Sequence, residues 1–206
     1  MIRVITVDRE YGSGAAFIAQ KLAGRLGWAL WDERLTREIA QLAECDLAAV
    51  QGREERKDPL YYRLFKSFLR GSFEGNLLAQ RLAPLDADRI FALTERVVRD
   101  AGATGECVLV GRGSAYFLRD RADAYHVFIY APFEEKVRRE RQAGRDAARA
   151  AELVQTVDQD RAAFIKKYFD IDWPYRSLYH LMVNSAIGDE AVVQTILGGI
   201  AAREKR

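Results

Sequence analysis

The chain has 206 residues, about half of them hydrophobic, which is enough for one domain of ordinary size around a sizeable core. Its 32 basic and 30 acidic residues leave a formal charge of +2, so the overall balance gives no reason to expect nucleic acid or an anionic membrane as partner. The cysteines Cys45 and Cys107 stand apart in apolar surroundings, with no CxxC pair and no Cys/His cluster. They read as free thiols of a reducing compartment rather than a disulfide or zinc framework. No window approaches 18 apolar residues and the N-terminus lacks a basic leader, so the expectation is a cytoplasmic protein.

Ile2, Val4, Ile5 and Val7 predict a buried first strand ending at Asp8. Gly12-Ser13-Gly14 then makes a tight turn, and Ile18, Leu22 and Leu26 lie on one stripe of a helix that Gly27 can cap. "WALW" predicts a short strand up to Asp32. From Glu33 to about Gly102 the pattern is helical, too long for a simple crossover, and reads as an insertion. Within it "PLYYRLFKSFLRGSF" is rich in aromatics, which either core packing or a homodimer face would explain. Strands return at "CVLVG" and "YHVFIYA", a charged helical region covers about Phe133 to Tyr168, "YHLMVN" reads as a last strand, and "DEAVVQTILGGIAAR" as a closing helix. His126 and His180 begin strands in apolar segments and read as structural histidines.

Strands alternating with helices imply an α/β fold with a parallel sheet between helical layers. Ligands of such sheets bind beyond the carboxyl ends of the strands. That rule draws together Asp8 to Gly14, Asp32, Gly111 to Gly113 and the segment after Ala131.

A strand, a glycine turn and a helix form the layout of a phosphate-binding loop, whose backbone amides and helix N-terminus favour an anion. The pattern G-x-x-x-x-G-K-[ST] is incomplete here: Gly14 is its second glycine, but Arg9, Ala15 and Ala16 replace the first glycine, the lysine and the hydroxyl. A structural strand–turn–helix without a ligand fits the same residues. Lys21 follows Gly14 by seven residues, roughly 10 Å of helix, so Arg9 is the better substitute for the missing charge. Arg112 follows a strand and could grip a phosphate in bidentate fashion, or pair with a carboxylate. Arg138, Arg139, Arg141, Arg145 and Arg149 fit a solvated helix face as well as an arginine lid. Asp158 and Arg161, three apart on one helix face, form either a salt bridge or a ligand contact.

Taken in order, "ITVDREYGSGAAFIAQKLAGRLG", "WDERL", "VLVGRGSAYFLRD", "HVFIYAPFEEKVRRE", "DQDRAAFIKKYF" and "YHLMVNSAIGDEAVVQTI" resemble the cytidylate kinase-like family, relatives of cytidylate kinase among the P-loop nucleoside monophosphate kinases. The resemblance implies a P-loop NTPase fold of nucleoside monophosphate kinase type. Its parts would be a parallel five-stranded sheet, a helical insertion at about 33–102 and a helical lid at about 138–168, all in one kinase-like domain. It implies phosphoryl transfer from ATP to CMP or a related monophosphate, with magnesium carried on the nucleotide and no protein metal site.

Gly12, Ser13, Gly14, Ala15 and Ala16 would hold the ATP phosphates, with Arg9 in place of the lysine. The family's DGRD segment falls on Val110-Gly111-Arg112-Gly113, so only its phosphate-binding arginine carries over, to Arg112. The lid pair falls on Arg138 and Arg139, the nucleotide-contacting D-x-x-R on Asp158 and Arg161, and the acceptor-site aspartate on Asp32. The next family arginine falls on Glu38, which leaves Arg34 or Arg37 to take over its contact. The "REYGSG" form is similar to a branch without the lysine. Because every departure strikes phosphate or magnesium binding, a kinase fold that senses a nucleotide or phosphorylated metabolite without turnover is the competing reading.

Overall fold

The computed structural model describes residues 1–50 and 87–205, without the side chains of 43–50 and 87. The aromatic segment with Tyr61, Tyr62 and Phe65, and the side chain of Cys45, lie outside the described residues. In chain order the elements are β1 (Val4–Arg9), α1 (Ala15–Leu26), β2 (Ala29–Trp31), α2 (Glu33–Val50), α3 (Ala87–Thr104) and β3 (Cys107–Val110). There follow α4 (Ser114–Phe117), β4 (Ala124–Tyr130), α5 (Phe133–Gln142), α6 (Ala147–Phe169), β5 (Leu181–Asn184) and α7 (Asp189–Glu204).

The five strands pair in the order β2-β3-β1-β4-β5, every pair parallel. β1 is central and buried along its whole length, as its run of β-branched residues requires. Strand alternation splits the core into two layers. Ile5, Val7, Val108, Val110, Val127 and Ile129 pack with α1 and α7 through Ile18, Leu22, Val192 and Ile196. Val4, Leu109 and Phe128 face the opposite side, where Leu35, Ile39, Ile90, Val98 and Phe164 bring in α2, α3 and α6.

Local signals explain where the elements stop. Gly27 takes φ 68° and closes α1 with its N–H on Ala23 O and Gly24 O. The charged region after β4 divides into two helices, and Asp146 caps the second by accepting the Arg149 N–H. Cys107 is buried and free, its thiol pushed up to about 11 chiefly by burial. His126 is the third residue of β4 and His180 immediately precedes β5: His126 accepts or donates a 2.8 Å hydrogen bond with Thr6 Oγ1, and His180 Nδ1 accepts the His126 N–H.

Candidate functional site

The chain leaves β1 at the centre of the sheet, and its next two neighbours, β3 and β4, lie on opposite sides of it. The crevice created by that reversal lies beyond the carboxyl ends of β1 and β3. Three segments meet there: Glu10–Gly14 after β1, Asp32 after β2, and Gly111–Gly113 after β3.

The glycine loop is tied to β4 and folded back on itself. Glu10 N–H donates to Ile129 O at 3.0 Å, and the Ser13 hydroxyl donates back to Glu10 O at 2.8 Å. Gly12 and Gly14 have φ of 77° and 76°, a conformation costly for residues with a Cβ. Gly14 is the N-cap of α1, with no side-chain cap and no acidic residue in the first turn. The positive end of α1 is thus not neutralised by carboxylates of its own first turn.

Beside the loop lies a group of buried ions. Arg9, at the end of β1, keeps only 7% of its surface, and burial, then the charge of Arg161, bring its guanidinium down to about 9. Its Nη1 lies where a side chain at position 111 would be, so Gly111, with φ 63°, makes its seat. Among the described residues the Arg9 guanidinium has no hydrogen-bond or ion-pair partner. Arg112 Nη1 donates to Asp32 Oδ1 at 2.6 Å and to Val110 O at 3.0 Å, while Nη2 donates to the Thr36 hydroxyl at 2.6 Å. Arg161 Nη1 reaches Arg9 O at 3.0 Å and Asp158 Oδ1 at 3.1 Å.

Asp158 also accepts the Tyr11 N–H at 2.8 Å, and burial raises its carboxyl above the ordinary range. Lys136 on α5 donates to Glu10 Oε2 at 2.9 Å. Arg139 is shared between segments: it donates to Ser13 O, to Ser185 O at 3.1 Å and to Glu135 at 2.8 Å. It therefore ties α5 to the glycine loop and to the turn after β5.

The remaining candidates lie apart. Arg138 is exposed and paired with Glu135 at 2.6 Å. Arg34 is exposed, lies over the Trp31 ring at 4.0 Å and is 3.9 Å from Glu38. Arg37 is exposed. Ala15 is buried and Ala16 half-buried, so the helix offers methyl groups where the loop pattern has a lysine and a hydroxyl.

Sequence reasoning missed three features. Lys136 was hidden in a charged run. Thr36 had no signal beyond its spacing from Asp32. Asp8 falls at the ligand edge of the sheet as expected, but nothing in the sequence signals its partners: its Oδ2 accepts the Tyr179 hydroxyl at 2.6 Å and Trp173 Nε1 at 3.3 Å. Burial, with the adjacent Asp8 charge, pushes that hydroxyl far up, keeping it a neutral donor. Among the described residues no group of three acidic, histidine or cysteine side chains could hold a metal ion.

This parallel sheet order, with a glycine turn opening a helix after the central strand, defines an α/β protein of the P-loop kinase fold. The chain belongs to the cytidylate kinase-like family, whose model matches residues 4–187. No curated protein matches it. Among solved structures it is similar to an uncharacterized protein from Eubacterium ventriosum, at 20% identity and a TM-score of 0.69, over 98% of this chain and 99% of that one. It is also similar to shikimate kinase from Acinetobacter baumannii in complex with shikimate, at 18% identity and a TM-score of 0.54, over 100% and 97% of the two chains. Shikimate kinase from Bacteroides thetaiotaomicron is 12% identical, with a TM-score of 0.52 and 100% coverage of both chains. At these identities the likeness is one of fold. No helix among the described residues is long and apolar enough to cross a membrane.

Proposed function

We propose that the protein transfers a phosphoryl group from ATP to an anionic small-molecule acceptor, of which cytidine monophosphate is the leading candidate. The observation that carries this reading is Arg9. It is a buried guanidinium without a described partner, seated on Gly111 at the end of β1 and electrostatically coupled to Arg161, Asp32 and Arg112. A buried cation is stabilised by an anion that shares its site. Amides of the Gly12–Gly14 loop and the N-terminus of α1 would bind the nucleotide phosphates. Arg9, Arg112 and Arg161 would hold the acceptor phosphate and neutralise charge during transfer. Asp32 and Asp158 would orient two of these arginines. When bound, magnesium would supply charge neutralisation on the nucleotide, held by phosphate oxygens and water.

A second reading, a sensor that binds a nucleotide without turning it over, is favoured by Ala15, Ala16 and Val110 at the positions of the lysine, the hydroxyl and the strand-end acid. ADP formation from ATP and magnesium across a panel of nucleoside monophosphates, with Arg9→Met and Arg112→Ala as controls, separates the two. Turnover on cytidine monophosphate that falls about 100-fold or more in the controls is the expected result. Nucleotide binding with no turnover on any acceptor would leave the sensor reading standing.

A further inference from the structure

α5 is a helix of charged residues whose one buried member is a lysine. Lys136 keeps 8% of its surface, uncommon for a lysine unless it is paired. Backbone contact puts it there: a Cβ at Gly12 would stand 3.0 Å from Lys136 Cβ and 3.1 Å from Lys136 O. The first turn of α5 thus leans directly on the glycine loop and delivers an ammonium to it. Nζ donates to Glu10 Oε2 at 2.9 Å and lies 3.7 Å from Asp158 Oδ2.

The other cations around the loop are differently placed. Arg139 is committed to backbone carbonyls of Ser13 and Ser185 and to Glu135. Arg9 is seated against Gly111, in the segment after β3. Lys136 alone of these is held only by carboxylate side chains, Glu10 and Asp158, which a phosphate oxygen can replace atom for atom. Its amine is a point charge on a flexible stem, able to exchange one oxygen for another without rebuilding a fork of hydrogen bonds.

We propose that Lys136 supplies the nucleotide phosphates with the positive charge that a lysine at position 15 would give, and that Glu10 holds the amine until the phosphates take it. The proposal rests on the reading of Gly12–Gly14 as a phosphate loop. It reassigns the loop's lysine from α1 to α5, so that a loop carrying Ala15 is still served by an ammonium.

The test uses the whole chain, with inorganic tripolyphosphate as a probe lacking base and sugar, and ATP with magnesium in parallel. Lys136→Met and Glu10→Gln remove the same ion pair. If the pair served only to shape the loop, both variants would shift affinity in the same direction. The proposal requires opposite directions: Lys136→Met weakens both ligands about 10-fold or more, the loss of one charge-assisted bond, while Glu10→Gln tightens them several-fold by removing the competing carboxylate. Should Lys136→Met fail to fold, Glu10→Gln decides alone, and unchanged or weakened binding there overturns the proposal. Wild-type protein that binds neither probe overturns the phosphate-loop reading and the proposal together. Wild-type binding with same-direction shifts overturns the role of Lys136 only.

Discussion

The carboxylate of Asp158 on α6 accepts the backbone N–H of Tyr11 in the glycine loop, 147 residues away in sequence, at 2.8 Å. The same side chain meets Arg161 at 3.1 Å and Lys136 at 3.7 Å, so one acid orders a loop amide and two cations. Burial already raises its carboxyl, which means its partners are what keep a charge there. Asp158→Ala leaves Arg161 and Lys136 short of counter-charge in a buried site. The expected cost is about 3 kcal/mol of folding stability, measured by urea unfolding. A change below about 0.5 kcal/mol would show that water serves these cations equally well.

Arg9 predicts the opposite sign. Burial and the neighbouring Arg161 depress its guanidinium from the ordinary arginine range to about 9, so its charged form disfavours the folded state. Below pH 9 the fold carries that penalty, and it fades only as the pH rises through the folded value toward the unfolded one. Arg9→Met keeps the length and removes the charge. It should raise stability by about 1 kcal/mol, seen as a Tm increase of about 2–4 °C, while weakening binding of a phosphate-bearing acceptor. A fall in Tm with unchanged binding would assign Arg9 to structure.

The two adjacent arginines of α5 show what a sequence can and cannot give. Arg138 and Arg139 look alike in the string, but successive residues on a helix point about 100° apart. Only Arg139 reaches the glycine loop; Arg138 stays on Glu135 in water. The alternation of β1, the turn glycines and Gly27 were legible because they are local. So was the three-residue spacing of Asp158 and Arg161, which do form a pair. The burial of Lys136 was not legible, because a lysine within "EEKVRRE" has every local mark of solvent exposure, and only contact with Gly12 reverses it. The partners of Asp8, contributed by Trp173 and Tyr179, depend equally on tertiary proximity.

Arg139 therefore carries its own prediction. Its guanidinium joins Ser13 O, Ser185 O and Glu135, and so ties α5 to a loop–turn contact that the Ser185 hydroxyl also bridges by donating to Ser13 O at 2.7 Å. Arg139→Ala should cost about 1–3 kcal/mol and speed amide hydrogen exchange in the glycine loop before it affects the core strands. Arg139→Lys should restore only part of this, since an ammonium cannot reproduce the planar fork across two carbonyls. Unaltered exchange in the loop would mean that the loop's own bonds, such as Ser13 hydroxyl to Glu10 O, are sufficient.

His126 gives the protein a pH dependence remote from the site. The ring is 1% exposed, shares a hydrogen bond with Thr6 and stacks on His180 with centroids 5.1 Å apart. Burial, then the charges of His180 and Arg203, lower it from 6.5 to about 4. The folded protein keeps the ring neutral where the unfolded chain takes up a proton. The stabilisation is complete above about pH 6.5 and is lost as the pH falls toward 4, amounting to about 2 kcal/mol by pH 5. Thermal unfolding at pH 7 and pH 5 should show that drop, and His126→Gln should remove most of it. His180, lowered in the same direction, leaves a residual slope. An equal drop in the variant would transfer the effect to His180, not to carboxylates such as Glu135, held at about 2 chiefly by Arg138. These lose stabilisation on protonation only at lower pH, so the interval between pH 7 and 5 reports the two histidines.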